Sequence, residues 1–253
     1  MPSPGTVKDL RRAYELMRAR FGHQRWWPGD TPFEVCVGAI LTQNTAWSNV
    51  ERAIANLKAA RVLVPSKLFA LPEAKLAQLI RPAGYFNVKA RRLRSFLRVL
   101  VEQFDGDLKK LFAGETSVVR ERLLAIHGVG PETADSLLLY AGGHHSFVVD
   151  AYTNRIFQRH RWTGKRGKRH ASTSRRRGRT ENASEGGKAE SGKCSVVSYE
   201  ELKDLCESAL NQKFGAARLD YWQDYHAQLV MVGKHFCRKR APRCDECPLK
   251  RLL

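Results

Sequence analysis

Apolar residues recur every three to four positions along most of the chain, which is the spacing of a helix with one buried face. Runs of β-branched residues are few, so no strand is predicted between positions 31 and 141. Proline and glycine divide the pattern into separate helices. The predicted helices span 7–21, 31–41, 47–60, 66–71, 74–80, 88–104, 117–126, 151–161, 198–210 and 221–236, with one more beginning at Pro131. The pattern therefore predicts an all-α fold.

One stretch, 164–195, breaks this pattern because it is rich in Arg, Lys, Ser, Gly and Glu and holds almost no apolar residues. Such a composition predicts a disordered insertion. The range 161–195 carries 11 Lys and Arg residues against 3 Asp and Glu residues, so the insertion is basic. Two roles stay open for it: loose contact with DNA phosphates, which we slightly favour, and a spacer.

The charge of the whole chain indicates a polyanionic partner. The 253 residues include 44 Lys and Arg against 25 Asp and Glu, a formal net charge of +19, while 43% hydrophobic residues allow a substantial core. No apolar run approaches the roughly 18 residues of a membrane span, and positions 1–10 lack the apolar centre of a signal peptide. We expect a cytoplasmic protein that is associated with the nucleoid through DNA and does not contact a membrane.

The segment 123–150, LLAIHGVGPETADSLLLYAGGHHSFVVD, carries the strongest local signal. Gly128 and Gly130 permit a tight turn with φ > 0, and Pro131 suits the first position of a new helix. The free N–H groups of that first turn favour an anion such as a phosphate. The segment 123–141 is therefore predicted to be a helix-hairpin-helix. Asp150 follows as a lone carboxylate that can cap a helix, carry chemistry, or do both.

Two polar or aromatic stretches allow more than one interpretation. Trp26-Trp27-Pro28 is either a plug in the core or the wall of a flat pocket, and the residues alone favour the plug. The quartet 42–45, Thr-Gln-Asn-Thr, is either a cap network or a ligand surface. Lys89 opens a helix among other cations, which alone indicates a solvated helix face.

Five blocks together resemble the endonuclease III superfamily of helix-hairpin-helix DNA glycosylases: ILTQNT at 40–45, GYFNVKA at 84–90, GVGPETA at 128–134, VVD at 148–150, and the cysteine tail at 237–253. The resemblance implies a helical barrel over 31–142 and a second, discontinuous domain made of 1–30 and 143–253. A substrate cleft lies between them in this family, and the partner is double-stranded DNA with a damaged base, bound by a monomer. The implied DNA-contacting residues are Gln43, Lys89, Gly128, Val129, Gly130 and Thr133.

The resemblance also implies a reaction. Asp150 matches the family's catalytic aspartate, which stabilises an oxocarbenium-like sugar and orients or deprotonates water. Bifunctional members carry a lysine two positions after the second hairpin glycine, and its amine forms a Schiff base that permits strand cleavage. This chain has Glu132 there, and a carboxylate forms no imine. Lyase activity is therefore expected to be missing unless another lysine reaches the site.

The aromatic residues resemble those of the 3-methyladenine DNA glycosylase III branch, whose base pocket is implied here at Trp26, Trp27, Pro28 and Trp47. Electron-rich rings favour a positively charged alkylated purine. The predicted function is a monofunctional glycosylase for alkylated purines. The alternatives are a bifunctional glycosylase and abasic-site lyase of the endonuclease III type, and a DNA-binding protein without catalysis.

The cysteine tail departs from the family pattern. Cys237, Cys244 and Cys247 fit the first three ligands of the family's [4Fe-4S] cluster, but Leu253 stands where the fourth cysteine is expected. Three outcomes stay open: a cluster with a substitute ligand, a zinc ion completed by His235 or His226, and a loop that holds no metal. Of the other cysteines, Cys36 is expected to be a buried small hydrophobe, whereas Cys194 falls in the insertion.

Overall fold

The computed structural model describes residues 2–164 and 197–253, and these residues form helices and loops without a β-strand. The α-helices are α1 (Pro4–Phe21), α2 (Pro32–Thr42), α3 (Trp47–Ala59), α4 (Pro65–Ala70), α5 (Glu73–Leu79), α6 (Phe86–Phe104), α7 (Leu108–Leu111), α8 (Thr116–Leu124), α9 (Pro131–Ser136), α10 (Ala151–Arg159), α11 (Tyr199–Ala209) and α12 (Gly215–His235). Short 3₁₀ turns occupy Arg81–Ala83, Cys244–Glu246 and Lys250–Leu252. The all-α prediction is confirmed. The predicted insertion lies outside the described residues from position 165 onward, and so does Cys194.

Side-chain caps begin several helices where the sequence predicts them. The Thr31 hydroxyl accepts a hydrogen bond from the Glu34 backbone N–H at 3.1 Å, which starts α2. The Glu34 carboxylate lies 2.8 Å from the Lys58 ammonium, so it ties α2 to α3. A reciprocal capping box, with both bonds formed, occurs at Ser198 and Glu201 at the start of α11.

Two clusters of buried apolar side chains divide the molecule into two lobes. The first lies between Phe33 and Leu138, and α2 runs through it with every residue from Phe33 to Leu41 buried. The second combines α1 with residues from Leu139 onward, including the long helix α12. The two-lobed arrangement predicted from the sequence is therefore present. The boundaries 31–142 for the barrel and 1–30 with 143–253 for the second domain stay predictions.

The chain passes from one lobe to the other through a π-helical segment, Leu137–Gly142, that continues α9. Leu138 packs in the first core, whereas the next residue, Leu139, packs in the second. Such wide turns change which direction each side chain takes relative to an α-helix. The hydroxyl of Tyr140, in the middle of this segment, reaches α12 as a result.

Helix α11 docks against the hairpin helix α9 through a fully buried carboxylate, Asp135. Asp135 accepts hydrogen bonds from Arg120 at 2.9 Å, Ser146 at 2.6 Å and Tyr199 at 2.8 Å. Because all three donors point at one charge, the carboxylate is satisfied despite its burial. The network fixes α11 beside the hairpin.

Helix α12 begins at Gly215, six residues before the predicted start at 221. Residues 215–220, GAARLD, are exposed or half-buried, so the core imposes no apolar periodicity on them. No helix in residues 2–164 and 197–253 combines the length and apolar character that a membrane span requires.

Candidate active-site cleft

A cleft of about 1460 Å³ opens between the two lobes. It exceeds the roughly 300–1,000 Å³ of ordinary small-molecule pockets. Its walls come from the loop before α2, the α2–α3 junction, the hairpin, the start of α10 and the last half of α12. The residues that line it include Trp26, Trp27, Gln43, Trp47, Arg92, Gly128, Val129, Gly130, Glu132, Thr133, Asp150, Arg155, His226, Lys234, Arg238 and Lys239.

Tryptophan rings form one wall of the cleft. Trp27 packs edge-on against Trp47, with ring centroids 5.4 Å apart, and Trp26 lies 5.8 Å from Trp27. A side chain at Gly38 would come within 3.2 Å of Trp27 and 3.3 Å of Trp47, so the bare backbone of α2 makes room for both rings. The rings therefore pack on α2 and also face the cleft, which combines the two interpretations that the sequence left open.

Pro28 does not belong to this wall. The sequence predicted it as a pocket residue, but it is exposed and lies outside the cleft lining. Tyr140 contacts the tryptophans without lining the cleft itself, with its ring centroid 5.2 Å from that of Trp27. The sequence missed Tyr140 because an α-helical count through α9 does not anticipate the π-helical turn.

Asp150 lies at the N-cap of α10 and lines the cleft. Its Oδ1 accepts hydrogen bonds from the backbone N–H of Thr153 at 2.7 Å and from the Thr153 hydroxyl at 2.9 Å. Its Oδ2 lies 3.7 Å from Nε2 of His226. One oxygen therefore caps the helix while the other is left for the cleft.

The surroundings of Asp150 keep its carboxylate charged. Burial alone raises the pKa of such a carboxyl, but His226 and the two Thr153 bonds outweigh burial, and the pKa of Asp150 falls below its ordinary value. The group is thus ionised at neutral pH. An ionised carboxylate can stabilise positive charge and accept a proton from water.

Glu132 faces the same cleft with the opposite tendency. Partial burial and the like charge of Asp150 raise the pKa of Glu132, although His226 offsets part of the rise. Two carboxylates whose pKa values are driven apart are the usual pattern of an acid and base site. No lysine occupies this hairpin position.

The two hairpin glycines differ in conformation, and only Gly128 uses the positive φ that the sequence predicted for the turn. Gly128 has φ of +88°, and a Cβ there would lie 2.2 Å from the Arg92 side chain. Gly130 is extended, with φ of −93°, and a Cβ there would meet nothing within 4 Å. Gly128 therefore serves the turn and its packing, while Gly130 leaves open space before α9. The N–H contacts to phosphate predicted for Gly128, Val129 and Gly130 stay predictions.

Gln43 connects α2 to the hairpin. Its amide donates to the Gly128 carbonyl at 3.0 Å and to the Thr133 hydroxyl at 2.9 Å. Arg92 donates to the Gln43 side-chain oxygen at 2.6 Å. Gln43 and Thr133 line the cleft, and their bonds also hold the hairpin in place; their contact with DNA stays a prediction.

Lys89 is not a surface residue, and its predicted contact with DNA is wrong. The side chain is 1% exposed, and its ammonium donates to the carbonyls of Leu41 at 2.8 Å and Ala83 at 2.7 Å. Burial and the nearby Arg92 lower the pKa of Lys89 to about 8. The cation joins the end of α2 to the 3₁₀ turn Arg81–Ala83, and no face of it is left for a phosphate.

The cleft has a basic edge that was not predicted from the sequence. It consists of Arg155, Lys234, Arg238 and Lys239. The Lys234 ammonium lies 5.4 Å from the ring centroid of Trp26. Two of these cations belong to the run Cys-Arg-Lys-Arg at 237–240, where the cysteine spacing is the more conspicuous signal. Lys234, Arg238 and Lys239 are exposed and suit the phosphates of a nucleic acid, whereas Arg155 is half-buried and donates to the Cys237 carbonyl.

The cysteine tail does not form a ligand set. Cys237 is buried and its sulfur accepts a hydrogen bond from Arg159 at 3.2 Å. Within the described ranges, no three His, Cys, Asp or Glu side chains converge on one point where a metal ion could bind. His226 faces Asp150, and His235 lies by Phe21 and Phe236, so neither completes a zinc site with the cysteines. The donors present do not fit the cluster or zinc.

These features agree with comparisons to known proteins. A sequence profile described as "HhH-GPD superfamily base excision DNA repair protein" matches residues 37–179, more than half of the chain. The chain belongs to the HhH-GPD superfamily. Members of this superfamily are base-excision DNA glycosylases, so DNA is the partner and an N-glycosidic bond is the target. The endonuclease III superfamily predicted from five sequence blocks is confirmed.

The similar proteins include members of the superfamily from distant organisms. A Methanocaldococcus jannaschii protein named "Putative DNA repair glycosylase" is 41% identical over 95% of this chain and 94% of its own length. Endonuclease III of Thermotoga maritima is 26% identical over 87% of this chain and 81% of its own length.

Solved structures show the same fold. The H. pylori 3-methyladenine DNA glycosylase bound to 1,N6-ethenoadenine has a TM-score of 0.68 and 23% identity, covering 90% of this chain and 97% of its own. A non-covalent endonuclease III–DNA complex has a TM-score of 0.70 and 19% identity, covering 97% and 94%.

Proposed function

We propose that this HhH-GPD protein is a monofunctional DNA N-glycosylase that removes alkylated purines. The observation that carries the proposal is the position of an ionised Asp150 in a cleft walled by tryptophans, with Glu132 at the hairpin position where lyases carry lysine. The carboxylate supplies hydrolysis, and the hairpin lacks the amine that strand cleavage requires.

In the proposed reaction the N-glycosidic bond breaks and the base departs with the bonding electron pair. Oδ2 of Asp150 stabilises the cationic sugar and accepts a proton from the water that adds to C1′. The products are the free base and an intact strand with an abasic site. Oδ1 stays with Thr153 throughout, so Asp150 keeps its orientation as the charge moves.

The cleft supports alkylated purines as the substrate class. Such bases carry positive charge, and their flat rings gain both stacking and cation–π attraction from Trp26, Trp27 and Trp47. Glu132 adds a carboxyl group to the lining of the same cleft. An uncharged normal base lacks these electrostatic gains, so the flipped lesion is favoured over an undamaged base.

A panel of duplex oligonucleotides tests this function. Each duplex carries one lesion: a 3- or 7-alkylated purine, 1,N6-ethenoadenine, 8-oxoguanine, uracil or a thymine opposite guanine. We expect release of the alkylated purine, with strand breaks only after alkali. Preferential release of uracil, thymine or 8-oxoguanine would overturn the substrate class, and breaks without alkali would overturn the monofunctional reaction.

The bifunctional alternative has one specific feature in its favour, because Lys234 lines the same cleft and reaches the Trp26 ring. Borohydride reduction in the presence of abasic-site DNA would trap a lysine Schiff base as a covalent adduct. We expect no adduct. An adduct that disappears in Lys234→Ala, but persists in Lys213→Ala outside the cleft, would establish lyase chemistry.

A further inference from the structure

His226 on α12 has a buried ring nitrogen that takes no part in the proposed base-release reaction. The residue is 5% exposed and lines the cleft. Its Nδ1 lies 2.6 Å from the Tyr140 hydroxyl. Its Nε2 is buried and has no hydrogen-bond partner among residues 2–164 and 197–253; it lies 3.7 Å from Oδ2 of Asp150. The imidazole thus stands between the hydroxyl and the proposed reacting carboxylate.

The protons of this group can be assigned by elimination. The Tyr140 hydroxyl has one proton and two acceptors in reach, Nδ1 of His226 and the Gln223 carbonyl at 3.2 Å. If the proton goes to Nδ1, a neutral imidazole carries its own proton on Nε2. If it goes to Gln223, Nδ1 must donate, and a bare Nε2 would then face a carboxylate unless it is protonated too. Both favourable arrangements place a proton on Nε2, toward Asp150.

We propose that His226 is a positioning residue for Asp150, holding an Nε2 proton toward Oδ2 so that the carboxylate stays ionised and turned to the cleft, while Tyr140 fixes the imidazole. This inference rests on the proposed function of Asp150 and deepens it. The gap of 3.7 Å exceeds a hydrogen bond, so Oδ2 is attracted to His226 while it remains available to water or to the sugar.

The neighbouring ionisable groups are consistent with this role. Tyr140 of the π-helical segment, Asp150 before α10 and Glu132 of α9 face the imidazole, and Asp224 of α12 acts on Tyr140. His226 lowers the pKa of Asp150 and also opposes the rise in the pKa of Glu132. Its proton therefore offsets the repulsion between two carboxylates that share one cleft.

The test compares the wild type with His226→Gln, Tyr140→Phe and a control, His145→Gln, whose imidazole bonds to the Gly215 carbonyl outside the cleft lining. The carboxyl carbon of Asp150 is titrated by ¹³C NMR in the full-length protein without DNA, and its signal is assigned by its loss in Asp150→Asn. Single-turnover excision is then measured from pH 3 to pH 9 on the alkylated duplex, and base release without protein is subtracted at each pH.

Removal of His226 should raise the pKa of Asp150, so the acidic limb of excision should move to higher pH. We expect His226→Gln to shift both the titration and the limb upward by about one pH unit or more. Tyr140→Phe should give a smaller upward shift, and His145→Gln none. Tyr140→Phe also decides the question if His226→Gln does not fold.

Coincident Asp150 titrations in the wild type and in the folded cleft variants would overturn the inference. The NMR result needs no substrate, so it separates this failure from a failure of the proposed function. A wild type that releases no base, but whose Asp150 titration still depends on His226, would refute the glycosylase reaction and leave the Asp150–His226 coupling standing. Under that result, His226 would still act on Asp150 but would have no part in base release.

Discussion

The hairpin with Asp150 and the cysteine tail both resemble endonuclease III motifs, but only the first is built as the motif implies. In the hairpin region, Gly128, Thr133 and Asp150 come together on one cleft with the residues that hold them. In the tail, the Cys237 sulfur takes a hydrogen bond from Arg159, and no three His, Cys, Asp or Glu side chains of the described chain form a group that could hold a metal ion. Each motif departs from the family pattern at one position, Glu132 in the hairpin and Leu253 in the tail, but the outcomes differ.

The difference follows from what each motif requires. A hairpin is specified by backbone conformation and packing, so Gly128 and the Gln43 bonds suffice to form it even where Glu132 replaces lysine. A metal site needs a full set of ligands at short distance, so the loss of one ligand weakens metal binding by the whole site. Arginine side chains hold the tail instead, since Arg155 donates to the Cys237 carbonyl at 2.7 Å and Arg159 to the Arg238 carbonyl at 2.8 Å.

Apart from the loss of the Asp150 charge itself, the largest effect should come from the tryptophan wall on the cleft side of this comparison. Trp47→Ala removes one ring of the wall, and stacking on an aromatic side chain is worth about 1–3 kcal/mol per base, so excision of the alkylated purine should fall about 10- to 100-fold. Binding to undamaged duplex should change little. Phe214→Ala, an exposed ring outside the cleft lining, serves as the control. Equal losses of excision and of undamaged-duplex binding would indicate that Trp47 only supports the fold.

On the tail side, Arg159→Ala should lower the free energy of unfolding by about 1–2 kcal/mol, because the bonds to the Cys237 sulfur and two carbonyls are lost. Cys244→Ser should change it by less than about 0.5 kcal/mol, since the thiol is only half-buried and is not expected to bind metal. Urea unfolding and iron and zinc analysis of protein purified without oxygen check both. If Cys244→Ser lowers the free energy of unfolding as much as Arg159→Ala and also removes bound metal, the tail holds a metal site after all.

The smallest effect concerns substrate charge. Glu132→Gln removes a carboxyl group that faces the cleft. The loss of one partly screened charge should lower the excision rate of a cationic base by about fivefold. We expect that factor for a cationic 7-alkylated purine and no change for 1,N6-ethenoadenine, which is uncharged at neutral pH. Parallel single-turnover rates on the two duplexes measure it. The same factor on both would assign Glu132 to Asp150 rather than to the base.

The sequence predicted most of the fold because helix periodicity and caps are local. The helices predicted from 31 and from 151 are present as α2 and α10, capped by Thr31 and Asp150. The start of α12 was misplaced because exposed residues carry no periodic signal. Lys89 was misjudged because a cation in a basic stretch does not reveal the two carbonyls that bury it.

The candidate site was predictable only in part. Asp150, Gln43 and the tryptophans lie in recognisable blocks, and they line one cleft. His226 and Tyr140 lie 76 and 10 positions from Asp150 in the printed sequence, in segments with no motif of their own. Their meeting depends on the π-helical turn that passes between the lobes and on how α12 packs beside α10, and no local pattern encodes either.

The most direct test of the central claim is single-turnover base release by Asp150→Asn. Asparagine is also a good N-cap, so α10 should remain folded while the charge is lost. We predict that excision of the alkylated purine falls by about 10²–10⁴-fold, the usual contribution of a general base, while affinity for the same duplex is retained. Release of the base by Asp150→Asn at the wild-type rate would contradict the account.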